Sequence, residues 1–129
     1  MGPDGGEGVT TAKADEGLRL ARTIVDLLEA KKGEDILLLD LIGVCGFTDY
    51  FVLCTGSSER TLQALADEVM EKVKKDHRIA DSHREGGATD GWILLDYGSV
   101  VVHLFSPELR RYYRLEDLWR AGQILLRMP

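Results

Sequence analysis

Apolar residues recur at three- and four-residue spacing from Asp15 to Lys32, at Leu18, Ala21, Val25 and Leu28, with Leu20, Ile24 and Leu27 widening the stripe. That period predicts a helix with a broad buried face, stopped at Gly33. The Gly- and Thr-rich residues before it show no apolar period and are expected to form a mobile tail. The chain therefore divides into a tail over 1–14 and a single domain over 15–129. Asp35 to Ile42 is too short and too continuously apolar for a surface helix and reads as a buried strand. Asp49 to Thr55, aromatic and β-branched, reads as a second strand ending at Gly56-Ser57-Ser58. From Ser58 to Asp76, Leu62, Leu65, Ala66, Val69, Met70 and Val73 trace one helical face, with Lys72, Lys74 and Lys75 toward its C-terminal end. His77 to Gly91 is polar and Gly-rich, with room for one short edge strand before a loop.

Trp92 to Tyr97 and Val100 to Phe105 flank Gly98-Ser99. Glycine at the first central position suits a type II′ two-residue hairpin turn. Counting back from that turn pairs Tyr97 with Val100, Asp96 with Val101, Leu95 with Val102, Leu94 with His103, Ile93 with Leu104 and Trp92 with Phe105. One face then carries Tyr97, Val100, Leu95, Val102, Ile93 and Leu104, the purer core candidate. The other carries Asp96, Val101, Leu94, His103, Trp92 and Phe105, a mixture suited to binding. Ser106-Pro107-Glu108 supplies an N-cap, a proline at N1 and a first-turn acid, so a helix begins there and breaks before a second amphipathic turn at Leu115, Leu118 and Trp119. The chain is expected to end helically through Ile124 and Leu125. The order of elements predicts an α/β fold, a mixed sheet of about five strands flanked by helices.

Composition narrows the class. The chain has 129 residues and 44% apolar content, enough for one core, and lacks a run of the roughly 18 to 20 apolar residues that a membrane span needs. Its N-terminus has neither a secretory nor a transit layout, and a cytoplasmic protein is expected. Cys45 and Cys54 have no metal-type spacing and read as free thiols in a reducing compartment. The net charge is -6, of which -3 falls in the first 17 residues. A mildly acidic domain is a poor match for extensive nucleic-acid wrapping and a better one for a basic protein partner.

Three constellations bear on chemistry. Gly56-Ser57-Ser58 at a strand-to-helix junction resembles the grip of a nucleotidyltransferase on a triphosphate, but the Asp-x-Asp or Asp-x-Glu pair that would hold magnesium is missing from the next strand. A magnesium-dependent nucleotidyltransferase is thus an alternative without its carboxylates. Asp96 and His103 are diagonal neighbours on one hairpin face, without a nucleophile beside them. Asp40, Asp49 and Asp96 read as turn residues rather than a metal cluster. No metal or cofactor is expected. Trp92, beside a Gly-rich loop, is the residue type most enriched at binding hot spots.

Five segments carry a resemblance: Thr48-Asp49-Tyr50-Phe51-Val52, Thr55-Gly56-Ser57-Ser58-Glu59-Arg60, Gly91-Trp92-Ile93-Leu94-Leu95-Asp96-Tyr97-Gly98, Val101-Val102-His103-Leu104-Phe105 and Leu115-Glu116-Asp117-Leu118-Trp119. In this order they resemble the ribosomal silencing factor family, also called Iojap-like, over roughly residues 18 to 120. The resemblance implies a nucleotidyltransferase-like fold without transferase activity. It implies docking on a large-subunit ribosomal protein, the fourteenth in the usual count, at the intersubunit face, with little direct rRNA contact. Subunit joining is then blocked sterically and translation repressed. An RNA-binding role in large-subunit maturation is a further alternative, and members can self-associate as homodimers. Carried onto this sequence, the partner-contacting residues are Trp92, Leu94, Asp96 and Tyr97, with His103 supporting them.

Overall fold

The computed structural model describes residues 4–77, 83–118 and 120–129, with backbone alone for 4–15 and 118. Helix α1 (Asp4–Ala30) leads into strand β1 (Glu34–Asp40) and strand β2 (Tyr50–Thr55). Helix α2 (Glu59–His77), strand β3 (His83–Gly87) and a short 3₁₀ turn (Ala88–Asp90) follow. Strands β4 (Trp92–Asp96) and β5 (Val100–Phe105) form the hairpin, and helix α3 (Pro107–Tyr113), helix α4 (Leu115–Leu118) and strand β6 (Gln123–Met128) complete the chain. The six strands make one sheet in the order β3-β4-β5-β2-β1-β6, antiparallel throughout except for the parallel β2–β5 pair.

The α/β class and the hairpin register both match expectation, down to Trp92 opposite Phe105 and Leu94 opposite His103. Gly98 has φ +84°, the left-handed value required at that turn, while the Tyr97 amide donates to the Val100 carbonyl at 2.9 Å. β3 is the predicted edge strand. At Gly86, φ is +77° and an added Cβ would lie 2.2 Å from the Trp92 carbonyl oxygen, so only glycine lets β3 approach β4 there.

Two expectations are corrected. The chain does not end helically: Gln123–Met128 is a sixth strand, antiparallel to β1, pairing Ile36 with Met128 and Asp40 with Gln123. Its short apolar run carries no helical period of its own, and the peptide groups along the outer edge of β1 gain partners when it pairs. The first helix starts at Asp4 rather than Asp15, so helical backbone reaches into most of the expected tail. Ala12, Lys13 and Ala14 are strong helix formers, and no proline from Asp4 onward interrupts propagation from the apolar stripe.

Burial divides between the two faces of the sheet. On one, α1 and α2 cover the main core, where Ile24, Leu28, Leu65 and Val69 meet Val52, Cys54, Ile93 and Val102. Complete burial of each large aliphatic side chain there favours folding by about 1.5 to 3 kcal/mol. On the other face Leu37, Leu39, Leu41, Phe51, Leu53 and Val101 form a smaller cluster, against which Leu115 packs from α4. The hairpin's two faces fall on these two sides, leaving the mixed one on the side without long helices.

Candidate functional site: an aromatic face on the open side of the sheet

The site begins with strand alternation. Trp92, Leu94 and Asp96 project to the open side from β4 as Val101, His103 and Phe105 do from β5, because successive residues point to opposite faces. Trp92 Nε1 donates a long hydrogen bond to His103 Nδ1 at 3.4 Å, and the two rings lie 2° from parallel with centroids 6.3 Å apart. Phe105 continues the parallel set, 6.2 Å from Trp92 and 5.9 Å from His103. Phe51, brought from β2 by the parallel pairing, meets the His103 imidazole edge to face at 4.7 Å. Tyr113 at the end of α3 stands 6.2 Å from both Trp92 and Phe105.

His103 is buried among these rings, and burial pushes its pKa down from 6.5 to about 4 despite the opposing charge of Asp96. A neutral imidazole accepting at Nδ1 carries its proton on Nε2. Nε2 is buried and reaches no hydrogen-bond partner among the described residues, which suits packing and orientation better than proton transfer. Cys54 lies in the opposite, helix-covered core, its thiol pushed up to about 12 chiefly by burial.

Four of the five sequence-predicted residues, Trp92, Leu94, Asp96 and His103, therefore share one face. Tyr97 does not join them. It packs against the helix-covered core, so the turn does not carry its ring across to the open side. Asp96 Oδ1 accepts from the Gly98 amide at 2.8 Å and Asp40 Oδ1 from the Ile42 amide at 2.9 Å, which assigns both carboxylates to turns. Sequence reasoning missed Phe51, Tyr113 and the exposed apolar residues Ile42, Val44 and Phe47 of the β1–β2 loop. Phe47 is 63% exposed, and its ring lies 6.1 Å from that of Phe51, extending the apolar band outward. Alternation within β2 already sets Phe51 and Leu53 apart from Tyr50 and Val52; what was missing was the partner strand.

The nucleotidyltransferase-like junction is built differently from a triphosphate grip. Ser58 Oγ accepts from the Thr61 amide at 3.1 Å, capping α2. The cavity of about 280 Å³ beside it is lined by the carboxylates of Glu59, Asp90 and Glu108 as well as Gly56 and Ser57. Among the described residues no group of three or more His, Cys, Asp or Glu side chains is arranged to hold a metal ion. Nor is any helix among them long and apolar enough to cross a membrane.

Comparison with known proteins accounts for this arrangement. Residues 12–127 match the family model described as "Ribosomal silencing factor during starvation". The ribosomal silencing factor of Halalkalibacterium halodurans is 38% identical over 100 residues, covering 78% of this chain and 85% of that protein. A Mus musculus protein named "Mitochondrial assembly of ribosomal large subunit protein 1" is 36% identical over 98 residues, covering 74% of this chain and 43% of its own length. A crystal structure of a protein from Chromobacterium violaceum superposes with a TM-score of 0.75 at 36% identity, covering 82% of this chain and 87% of that one. With matching sequence over most of its length and a matching fold, the chain belongs to the ribosomal silencing factor family.

Proposed function

We propose that this protein is a non-enzymatic cytoplasmic factor that docks its open aromatic face on the large ribosomal subunit and prevents the small subunit from joining. The contact is with the large-subunit protein counted fourteenth, at the intersubunit face. The observation that carries this reading is the ring set on the sheet face that α1 and α2 do not cover, where the half-buried Trp92 and the exposed Tyr113 reach the surface over the buried rings of His103 and Phe105. Aromatic anchors held rigid before binding lose little conformational entropy on association, which is why they dominate hot spots. Trp92 and Leu94 supply the apolar centre, Asp96 an acidic rim suited to a basic ribosomal protein, and His103 holds the indole in place. Tyr97 contributes from behind, through the helix-side packing of the turn. Repression follows from occupancy alone.

Sedimentation of purified subunits with excess protein tests the idea. Free subunits should accumulate at the expense of joined ribosomes; unchanged joining would refute it. A second reading, participation in large-subunit maturation, is favoured by the name of the mouse relative and uses the same docking event at an earlier stage. Self-association into homodimers is read from the elution mass of the free protein.

A further inference from the structure

Whole-chain charge argues against nucleic-acid contact, yet the charge is unevenly distributed. Residues 1–106 carry a net -8, whereas residues 107–129 hold five arginines against three acidic residues, a net +2. Four of those arginines, Arg110, Arg111, Arg114 and Arg127, line one cavity of about 420 Å³ between α3, α4 and the β1–β6 edge. They are not equivalent. Arg110 is committed to the fold, donating from Nε to Glu116 Oε2 at 3.3 Å and from an Nη to Thr55 Oγ1 at 3.0 Å. Arg111 and Arg114 are exposed, and among the described residues no carboxylate pairs with Arg111, Arg114 or Arg127. With Glu116 taken by Arg110, Asp35, Asp117 and the terminal carboxylate of Pro129 share the cavity wall with three guanidinium groups, none of them in an ion pair among the described residues.

Aromatic rings adjoin this charge. The run Arg110-Arg111-Tyr112-Tyr113-Arg114 interleaves guanidinium groups with two tyrosines, of which Tyr112 is 77% exposed and stands edge to face with Tyr113 at 5.1 Å. Exposed rings beside arginines without a carboxylate partner, Arg114 Nε donating only to the Arg111 carbonyl at 3.3 Å, combine base stacking with phosphate contact, the pair of interactions by which proteins hold single-stranded nucleic acid. α3 thus has an aromatic edge toward Trp92 and a cationic edge toward β1 and β6.

We propose that this notch is a secondary RNA-binding site, in which Arg111, Arg114 and Arg127 hold backbone phosphates of an unpaired RNA segment and Tyr112, outside the cavity on the same helix, stacks on a base. It adjoins the docking face where Tyr112 meets Tyr113, but it is read on naked RNA, so its failure leaves the docking proposal standing. The test titrates the full chain against labelled oligoadenylate across a salt series from about 50 to about 200 mM. Wild-type affinity should fall steeply with salt. The variant R111A/R114A/R127A, with Arg110 untouched and folding checked by thermal melting, should bind at least about tenfold more weakly, with the log affinity versus log salt slope flatter by about 2. Tyr112→Ala should weaken binding about tenfold at every salt concentration without changing that slope. An unchanged slope in the triple variant overturns the proposal, as does the lack of saturable binding by wild type. Equal displacement of the RNA by a polyglutamate peptide of matched charge would assign the notch to an acidic protein segment and overturn it too.

Discussion

Trp92 and His103 are held as one unit: the indole N–H reaches Nδ1 of the imidazole at 3.4 Å while the ring planes stay within 2° of parallel. The bond is long and contributes little by itself, but Phe105 and Tyr113 beside the indole and Phe51 against the imidazole leave the pair little freedom. An anchor arranged this way is presented to a partner without having to be ordered first.

Truncating that anchor should cost binding beyond any loss of folding stability from its ring contacts. Trp92→Ala is expected to weaken association with purified large subunits by at least about 2 kcal/mol, the hot-spot threshold. Binding measured by co-sedimentation or biolayer interferometry within error of wild type would remove Trp92 from the interface, provided the variant melts cooperatively.

Burial of His103 predicts the sign of a pH effect. With a folded pKa near 4 against 6.5 when exposed, the unfolded chain binds a proton that the folded chain refuses between those values. Stability from this group is therefore complete above about pH 6.5 and is lost as pH falls toward 4, by an amount on the order of 3 kcal/mol. Urea midpoints taken between about pH 5 and pH 7, above the main carboxylate range, should rise with pH in wild type. The slope should flatten in His103→Gln. A slope unchanged by the substitution would assign the effect to other groups.

Gly86→Ala should be severe for a small change. The methyl group would lie 2.2 Å from the Trp92 carbonyl oxygen, at φ +77°, so β3 must separate from β4 or the backbone must shift. A loss of more than about 2 kcal/mol in denaturant unfolding is expected, from left-handed strain together with lost pairing. Gly87→Ala is the control, since its Cβ would meet only Asp90 Oδ2 at an ordinary 3.5 Å.

The Arg110–Glu116 pair ties α3 to α4 and is mostly withdrawn from solvent, with side chains 11% and 27% exposed. Arg110→Ala should cost about 2 kcal/mol, much of it from leaving the Glu116 carboxylate without its cation. Adding Glu116→Gln should recover part of that loss. A double-mutant cycle in which the two changes simply add would show that the pair is not coupled.

Local chemistry was legible in the sequence because its causes lie within a few residues. The Gly98-Ser99 turn fixes the β4–β5 register, the register fixes which side chains share a face, and that alone gathers Trp92, Leu94, Asp96 and His103. The α2 stripe and the Ser106-Pro107 start of α3 were legible for the same reason: period and capping are short-range properties. Three things needed the tertiary structure. Gln123–Met128 became a strand because the edge of β1 was there to pair with it, a partner more than eighty residues away in sequence. Phe51 joined His103 because β2 and β5 pair in parallel, a long-range contact that no turn dictates. Whether the Tyr97 ring stays on the core side that the register gave it or reaches around the turn was settled by the main core beneath the turn, which keeps it there, so its resemblance-based role and its position part company. Sequence thus determined which residues face the same way, since strand alternation and turn geometry act locally; only the assembled sheet decided which face stays open, since that depends on where two distant helices pack.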